Sequence, residues 1–214
     1  MPFLKEISIP TIGFISIWEI NETIVELANA LAHAVEENTK ANPKKEIHQL
    51  QWLASRLLLK KHFHQKRIQL HKDEFNKPSL FIDNTPYHIS ITHAGKYAAI
   101  FISASATVGI DLELIDERIL NISNKFLNEK ELKLIQELEH EQAKFISLIW
   151  SAKETLYKIY SRKELDFKQD IFINDIQEPI KGGISKLGSA FELDIHYIEL
   201  ENYILTYAYR KPFI

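Results

Sequence analysis

The chain contains no cysteine and only six glycines in 214 residues. The lack of cysteine excludes disulfides, a thiolate nucleophile and zinc–cysteine sites, and it favours a cytoplasmic protein. Neither a P-loop nor a G-x-G-x-x-G motif occurs, which argues against those two routes to nucleotide binding. No apolar run approaches the length of a membrane span, and no signal-peptide pattern is found. We therefore expect a soluble globular protein with no membrane partner.

An excess of basic charge is also absent. Lysine and arginine total 26 against 29 acidic residues, which gives a net charge of −3 at pH 7. A nucleic-acid substrate favours a basic surface, so we expect no nucleic-acid partner, and any anion site must be local. Hydrophobic residues make up 45% of the chain, enough for a good core in one domain or two small ones.

A helix is predicted over residues 141–160. Its apolar residues recur with helical spacing and form one stripe: Phe145, Leu148, Ile149, Ala152, Leu156 and Ile159. Trp150, Glu154 and Lys158 form a second stripe on the opposite side. This pattern predicts a helix covered on both sides, with Glu154 and Lys158 facing a cleft and Trp150 as a packing residue. For the helix alone, an exposed Glu–Lys pair is the simpler interpretation.

A strand is predicted over Val108 to Leu114. Its apolar residues fall on one face, while Asp111 and Glu113 share the other with Gly109. Two carboxylates at positions i and i+2 of one strand face are close enough to share a divalent cation. Taken alone, the same pattern also fits a half-buried strand with a hydrated acidic face.

The remaining pattern predicts an α+β fold. We expect helices over 22–37, with Asn21 as its N-cap, and over 44–64, and a loop at Gly182-Gly183. The order strand, helices, strands occurs twice, so the chain is expected to form two similar lobes, residues 1–105 and 106–214. The second lobe carries the acidic motifs. Further strands are expected at 11–20, 80–82, 87–92, 97–103, 190–199 and 202–209.

Four motifs in series resemble the Sfp-type 4′-phosphopantetheinyl transferases of the holo-acyl-carrier-protein synthase superfamily. The family pattern is a Gly/Asn-Lys-Pro turn, I-S-H-S, G-I/V-D-x-E and W-x-x-K-E-A/S-x-x-K. The chain has N-K-P at 76–78, S-I-T-H-A at 90–94, G-I-D-L-E at 109–113 and W-S-A-K-E-T-L-Y-K at 150–158. The segment from Phe126 to Glu131 also resembles the family's Phe-x-x-x-x-Glu. Departures from the pattern are Thr92, Ala94 and Thr155.

This resemblance implies two α+β lobes related by a pseudo-two-fold axis, with coenzyme A in the cleft between them. It also implies transfer of the phosphopantetheine arm to a serine of an apo acyl or peptidyl carrier protein. Asp111, Glu113 and Glu154 can supply the carboxylates that Mg²⁺ prefers, and Glu154 is the candidate base. Lys158 is expected to balance the phosphoryl charge. A monomer is expected, since two lobes already make the cleft.

By the same resemblance, the 3′-phosphate and neighbouring phosphates of coenzyme A would be held by Lys77, Thr92 and His93. Arg56 is a further candidate for contact with the nucleotide. Residues 44–48, with Lys44, Lys45 and His48, lie where family members often carry a basic group.

Two rival functions use the same residues. A metal-dependent phosphodiesterase or nuclease would need the three carboxylates, but such nucleases usually carry more acids and a basic surface. A non-catalytic module that binds coenzyme A or a carrier would have no need of three convergent acids. The carriers that the family resemblance implies serve fatty-acid, polyketide or nonribosomal peptide biosynthesis.

Overall fold

The computed structural model describes residues 3–32, 34–38, 43–138, 140–162, 165–186, 188 and 190–212. Its contacts divide the chain into two compact units, Met1–Val108 with Lys211–Ile214, and Gly109–Arg210. The boundary predicted from the sequence lies at 105/106. Each unit combines helices with one sheet, and the predicted α+β class is confirmed.

The first unit is a seven-stranded sheet with two helices. The strand order is β1-β2-β7-β6-β5-β4-β3, and β3 pairs with β4 in parallel while the other neighbours are antiparallel. Its elements are β1 Phe3–Ile9, β2 Gly13–Glu19, α1 Ile24–Leu31, β3 Val35–Glu37, α2 Glu46–His62, β4 Ile68–Lys72, β5 Pro78–Ile82, β6 Thr85–Ala94 and β7 Tyr97–Ser103.

The first predicted helix is shorter than the sequence suggested. It begins after Thr23 rather than Asn21, because Thr23 and Glu26 form a reciprocal capping box. It ends where Ala32 takes a left-handed conformation, and Val35–Glu37 then forms the strand that pairs with β4. The predicted helix over 22–37 was therefore wrong in its second half. The sequence did not indicate β3, because a strand of three residues is too short to show an alternating pattern.

The core of the first unit lies between α1, α2 and one face of the sheet. Leu27 of α1 and Leu58 of α2 pack with Ile89 of β6 and Ile100 of β7 in one buried cluster. Because side chains alternate along a strand, Ile91 and His93 lie on the same face of β6 as Ile89, whereas Thr92 lies on the other. Of the two predicted phosphate ligands on β6, His93 therefore lies on the face that packs against α2 and Thr92 lies on the other face.

The second unit is a five-stranded sheet with two helices. The strand order is β8-β12-β11-β10-β9. Two short 3₁₀ turns, Glu117–Asn121 and Ser123–Lys125, follow β8. The other elements are β8 Thr107–Leu114, α3 Glu129–Gln136, α4 Gln142–Tyr160, β9 Ile171–Asp175, β10 Ile180–Ile184, β11 Phe191–Leu200 and β12 Tyr203–Arg210.

Gly182 and Gly183 lie inside β10, so the predicted loop is wrong. A Cβ atom on Gly183 would come within 2.2 Å of the Phe191 carbonyl oxygen of β11. The glycines are therefore required by close backbone approach in the sheet, not by a turn. Sequence reasoning favoured a turn because a Gly-Gly pair is the commoner signal of one.

The long helix α4 forms the centre of the second unit. Five residues of its predicted apolar stripe are buried in one cluster with strands β9 to β12: Leu148, Ile149, Ala152, Leu156 and Ile159. The sixth, Phe145, is partly buried and packs against the same cluster. The opposite side is not open to water either, because Trp150, Glu154 and Lys158 are only partly exposed. Helix α4 is therefore covered on both sides.

Within the ranges given above, the longest helices are too short or too polar to cross a membrane.

Candidate functional site

Lys158 of α4 is bound to the acidic strand β8. Its Nζ donates to Asp111 Oδ1 over 2.7 Å and to the carbonyl oxygen of Ile110 over 2.8 Å. The Asp111 side chain is only 7% exposed and that of Lys158 27%. Lys158 thus forms its hydrogen bond with Asp111, 47 positions earlier in the chain. The simpler interpretation of α4, an exposed pair between Glu154 and Lys158, is therefore wrong.

The contact between β8 and α4 depends on Gly109. A Cβ atom there would lie 2.4 Å from the carbonyl oxygen of Thr155 and 2.8 Å from the Ile159 side chain. Backbone cannot yield as a flexible side chain can, so only glycine allows this approach. Gly109 therefore sets the spacing that brings Asp111 beside Lys158.

Three carboxylates interact at this contact. Burial and the negative charges of Asp111 and Glu154 together raise the pKa of Glu113 to about 7, while the Trp150 hydrogen bond and the charge of Lys158 lower it. Burial and the negative charge of Asp111 together raise the pKa of Glu154 to about 7, while the charge of Lys158 lowers it. The structure thus brings Asp111, Glu113 and Glu154 within electrostatic reach of each other and of Lys158.

The donor chemistry of this cluster fits a divalent cation. Carboxylate oxygens are the ligands that Mg²⁺ prefers, and like charges held together are stabilised by a cation. Across the part of the chain that the structure describes, no three His, Cys, Asp or Glu side chains form a ready-made set of metal ligands. The Asp111, Glu113 and Glu154 side chains would therefore have to adjust to hold an ion together.

Trp150 contributes more than packing, which sequence reasoning missed. Its indole Nε1 donates to Glu113 Oε1 over 2.9 Å. The indole stacks on Phe167, with ring centroids 5.1 Å apart, and contacts Phe126 at 4.8 Å. The signal in the sequence was the shared stripe of Trp150, Glu154 and Lys158, which places the Trp on the side of the helix that faces the acids.

A buried ion pair supports this side of the unit. Lys153 Nζ lies 2.8 Å from Glu131 Oε2, and both side chains are fully buried. Lys153 also donates to the carbonyl oxygens of Phe126, Phe167 and Ile171. Glu131 accepts from the backbone N–H groups of Asn128 and Ile173. The sequence signal was present in the Phe126–Glu131 segment and in the Lys-Glu of the W-x-x-K-E motif, but the two were not connected.

Thr155, a departure from the resembled family pattern, has a local partner. Its Oγ1 lies 2.7 Å from Oγ1 of Thr206 on β12, and Ser151 Oγ lies 2.9 Å from the same atom. All three residues are fully buried. The hydroxyl of Thr155 therefore belongs to the contact between α4 and the sheet.

The first unit contains a separate basic cavity of about 390 Å³. Helix α2 lines one wall with residues spaced by four, and strand β6 and the turn before β5 supply others. The lining residues are Pro43, His48, Trp52, Arg56, Lys72, Asn76, Pro78, Ile91 and His93. Four of these side chains are basic types and none is acidic, so the cavity suits an anion.

Arg56 is held in place at this cavity. Its Nε donates to Glu37 over 2.5 Å, its Nη1 donates to Ser55, and the guanidinium lies 4.7 Å from the centre of the Trp52 ring. A guanidinium carries five donors, so these bonds leave donors for a ligand. Trp52 and Lys72 were not singled out from the sequence, since neither belongs to a recognised motif.

The other three predicted phosphate ligands, His93, Lys77 and Thr92, do not all line this cavity. His93 lines the cavity and lies across from His48, with ring centroids 6.5 Å apart. Lys77 is flanked by the lining residues Asn76 and Pro78, and burial lowers its pKa. Thr92 is 5% exposed and points to the opposite face of β6, so Thr92 and His93 do not share this cavity.

Carboxylates gathered beside a lysine could hold a divalent ion, and such an ion can stabilise charge on a phosphoryl oxygen. Residues 107–208 match the family model of the 4′-phosphopantetheinyl transferase superfamily. The matched residues span β8 to β12 and include the whole carboxylate cluster. No curated protein matches the chain. The match supports a transferase of the phosphopantetheinyl kind.

Proposed function

We propose that this protein transfers the 4′-phosphopantetheine arm of coenzyme A to a serine hydroxyl of an apo carrier protein. The contact between Lys158 and Asp111 supports the proposal most directly. At 2.7 Å it joins the motifs at 109–113 and 150–158, and both motifs lie inside the matched residues 107–208. The serine oxygen attacks the phosphorus that bears pantetheine, and the bond from that phosphorus to the bridging oxygen breaks. Adenosine 3′,5′-bisphosphate leaves with that oxygen.

The residues of the second unit fit distinct parts of this reaction. Glu154 is the proposed base that takes the proton from the serine hydroxyl. Lys158, one turn further along α4, balances charge on the pyrophosphate and on the leaving bisphosphate. Asp111, Glu113 and Glu154 would hold Mg²⁺. Such an ion, when bound, neutralises phosphate oxygens and so favours attack by a nucleophile.

The basic cavity of the first unit is the proposed site for the nucleotide end of coenzyme A. Its groups match the charge of a 3′-phosphate, because Arg56, His93 and Lys72 offer cationic or hydrogen-bonding donors. Trp52 adds an aromatic side chain of the kind that stacks on bases. Lys77 and Thr92, although placed differently, remain proposed ligands of neighbouring phosphates.

The direct test is incubation of the protein with coenzyme A, Mg²⁺ and apo carrier proteins, followed by intact mass measurement. The expected result is a mass gain of one phosphopantetheine arm on the carrier serine. Acyl and peptidyl carriers are tested in parallel, because the pathway is not specified by the site. No gain on any carrier, with hydrolysis of a phosphodiester instead, would favour the rival hydrolase.

Removing His93 should weaken recognition of the 3′-phosphate. In His93→Ala the affinity for coenzyme A is expected to fall roughly tenfold to a hundredfold, because a charge-assisted hydrogen bond contributes ~1.5–3 kcal/mol. The affinity for dephospho-coenzyme A should change little, since it lacks the phosphate. Calorimetric titration of both ligands measures this difference.

Two control variants separate phosphate binding from chemistry. His64→Ala removes an exposed histidine of the same unit and should leave both affinities unchanged. Glu154→Gln should lose kcat and keep the discrimination between the two ligands. Equal weakening of both ligands in His93→Ala would show that His93 does not contact the 3′-phosphate.

Carrier proteins with acidic helices are proposed to dock on the segment that follows β8. Leu120 and Ile122, two residues apart in this segment, are 40% and 46% exposed and offer apolar contact area. Exposed lysines follow at Lys125, Lys130 and Lys133. The patch therefore combines apolar contact with positive charge, which complements an acidic helix.

Charge reversal tests this docking surface. The double variant Lys130→Glu, Lys133→Glu should raise the KM for carrier by about threefold to tenfold, because each exposed ion pair contributes ~0.2–1 kcal/mol. The KM for coenzyme A should stay constant. Lys5→Glu with Lys61→Glu, an equal charge change on the first unit, is the matched control. If both KM values rise together, the carrier does not dock here.

A further inference from the structure

The indole ring of Trp150 packs against two phenylalanine rings. Phe167 stacks on it at an interplanar angle of 29°, and Phe126 packs against it at 56°. The backbones of both phenylalanines are fixed in turn, since each carbonyl oxygen accepts from Lys153 Nζ over 2.7 Å. The buried ammonium of Lys153 thus holds the two segments that enclose the indole.

The fixed indole presents one N–H group to one carboxylate oxygen. Trp150 Nε1 lies 2.9 Å from Glu113 Oε1. An indole has a single hydrogen-bond donor and no acceptor, so Trp150 must donate and Glu113 must accept. This contact leaves the second carboxylate oxygen of Glu113 for another ligand. Glu113 is the penultimate residue of β8, and the indole N–H fixes the position of one of its two carboxylate oxygens.

We propose that Trp150 is a positioning residue that orients Glu113 to hold the divalent ion. The inference rests on the proposed function and adds a residue whose role acts through Glu113. Groups that hydrogen-bond a metal-binding carboxylate fix its orientation, and their loss typically weakens metal affinity roughly tenfold to a hundredfold. A Trp that only filled space would need its rings and not its N–H.

The test compares Trp150→Phe with the unsubstituted protein. Phenylalanine keeps an aromatic ring between Phe126 and Phe167 but removes the N–H donor. The expected result is Mn²⁺ affinity, measured by electron paramagnetic resonance, that is lower by roughly tenfold to a hundredfold. The KM for Mg²⁺ in carrier modification should rise by a similar factor, while coenzyme A affinity without metal stays unchanged.

A matched control exists in the first unit. Trp18 Nε1 donates to Glu22 Oε2 over 3.3 Å. Trp18→Phe therefore removes the same kind of hydrogen bond from a residue outside the proposed metal ligands. Trp18→Phe should leave Mn²⁺ affinity unchanged. Replacing Trp150 with 3-benzothienylalanine, in which sulfur takes the place of the N–H with nearly the same shape, tests the bond if Trp150→Phe unfolds. It should reproduce the loss of affinity.

A double-variant comparison shows whether Trp150 acts through Glu113. In Glu113→Ala, which removes both the acceptor of the indole N–H and the metal-binding oxygens, adding Trp150→Phe should cause no further loss of Mn²⁺ affinity. An undiminished further loss, or wild-type affinity in Trp150→Phe and in the benzothienyl variant, would overturn the inference. Wild-type protein that transfers phosphopantetheine while these variants bind Mn²⁺ normally would contradict the inference alone. Loss of Mn²⁺ binding in the variants, with no transfer by the wild type, would contradict only the proposed function.

Discussion

Asp111→Asn should reduce phosphopantetheine transfer by about three orders of magnitude or more. The substitution keeps the shape of the side chain and removes the charge that both Lys158 and a divalent ion require. Stabilisation of phosphoryl charge by a bound ion is worth several kcal/mol, and each ~1.4 kcal/mol is a factor of ten in rate. The rate of carrier modification in a single turnover, monitored by intact mass of the carrier, measures the loss.

The fold of Asp111→Asn has to stay intact for this result to be informative. Circular dichroism and the urea midpoint check this, since the loss of the Lys158 pair should shift stability only modestly. Asp194→Asn is the matched control, because Asp194 pairs with Lys181 on an exposed part of the same sheet. It should transfer at the wild-type rate. Wild-type transfer by Asp111→Asn in Mg²⁺ would remove Asp111 from the proposed ligands.

Lys153→Met should destabilise the protein by about 3–5 kcal/mol, the typical effect of leaving one partner of a buried ion pair without its counter-charge. Methionine approximates the length of lysine but cannot donate. Glu131 would keep its two backbone donors and lose its ammonium partner, and three carbonyl oxygens would lose theirs. The free energy of unfolding from urea titration measures the change.

Two further variants define what the Lys153 result means. Adding Glu131→Gln removes the unbalanced charge, and the double variant should recover part of the lost stability. Lys144→Met breaks a partly exposed pair with Glu199 at 2.8 Å and should cost no more than about 1 kcal/mol. A loss in Lys153→Met no larger than that in Lys144→Met would mean that the buried pair does not hold the unit together.

The acidic strand and the long helix could be predicted because their chemistry follows a period. Alternation along β8 placed Asp111 and Glu113 together, and the apolar stripe fixed the buried side of α4. These two elements contain all the candidate residues of the carboxylate cluster. Their pairing needed no tertiary information beyond the resemblance of the motifs.

The remaining features depend on partners distant in sequence. The stripe shared with Glu154 and Lys158 placed Trp150 on the side of α4 that faces the acids, but it did not identify Glu113 as the hydrogen-bond partner. The buried charge of Lys153 is balanced by Glu131 on another helix. The residues around the basic cavity come from segments that approach only in the folded sheet. Strands β4 and β9, which were not predicted, are five residues each and lack a long alternating pattern.

The hydroxyl contacts of α4 determine the rotation of the helix about its own axis. Aliphatic packing alone tolerates small turns and shifts of a helix, because dispersion contacts have no direction. Ser151 and Thr155, one turn apart, both meet the hydroxyl of Thr206, and hydrogen bonds do have direction. A rotation that broke them would leave three hydroxyls buried without partners and swing Glu154 away from Asp111. The angular aim of the proposed base is thus fixed by side chains that take no part in the chemistry.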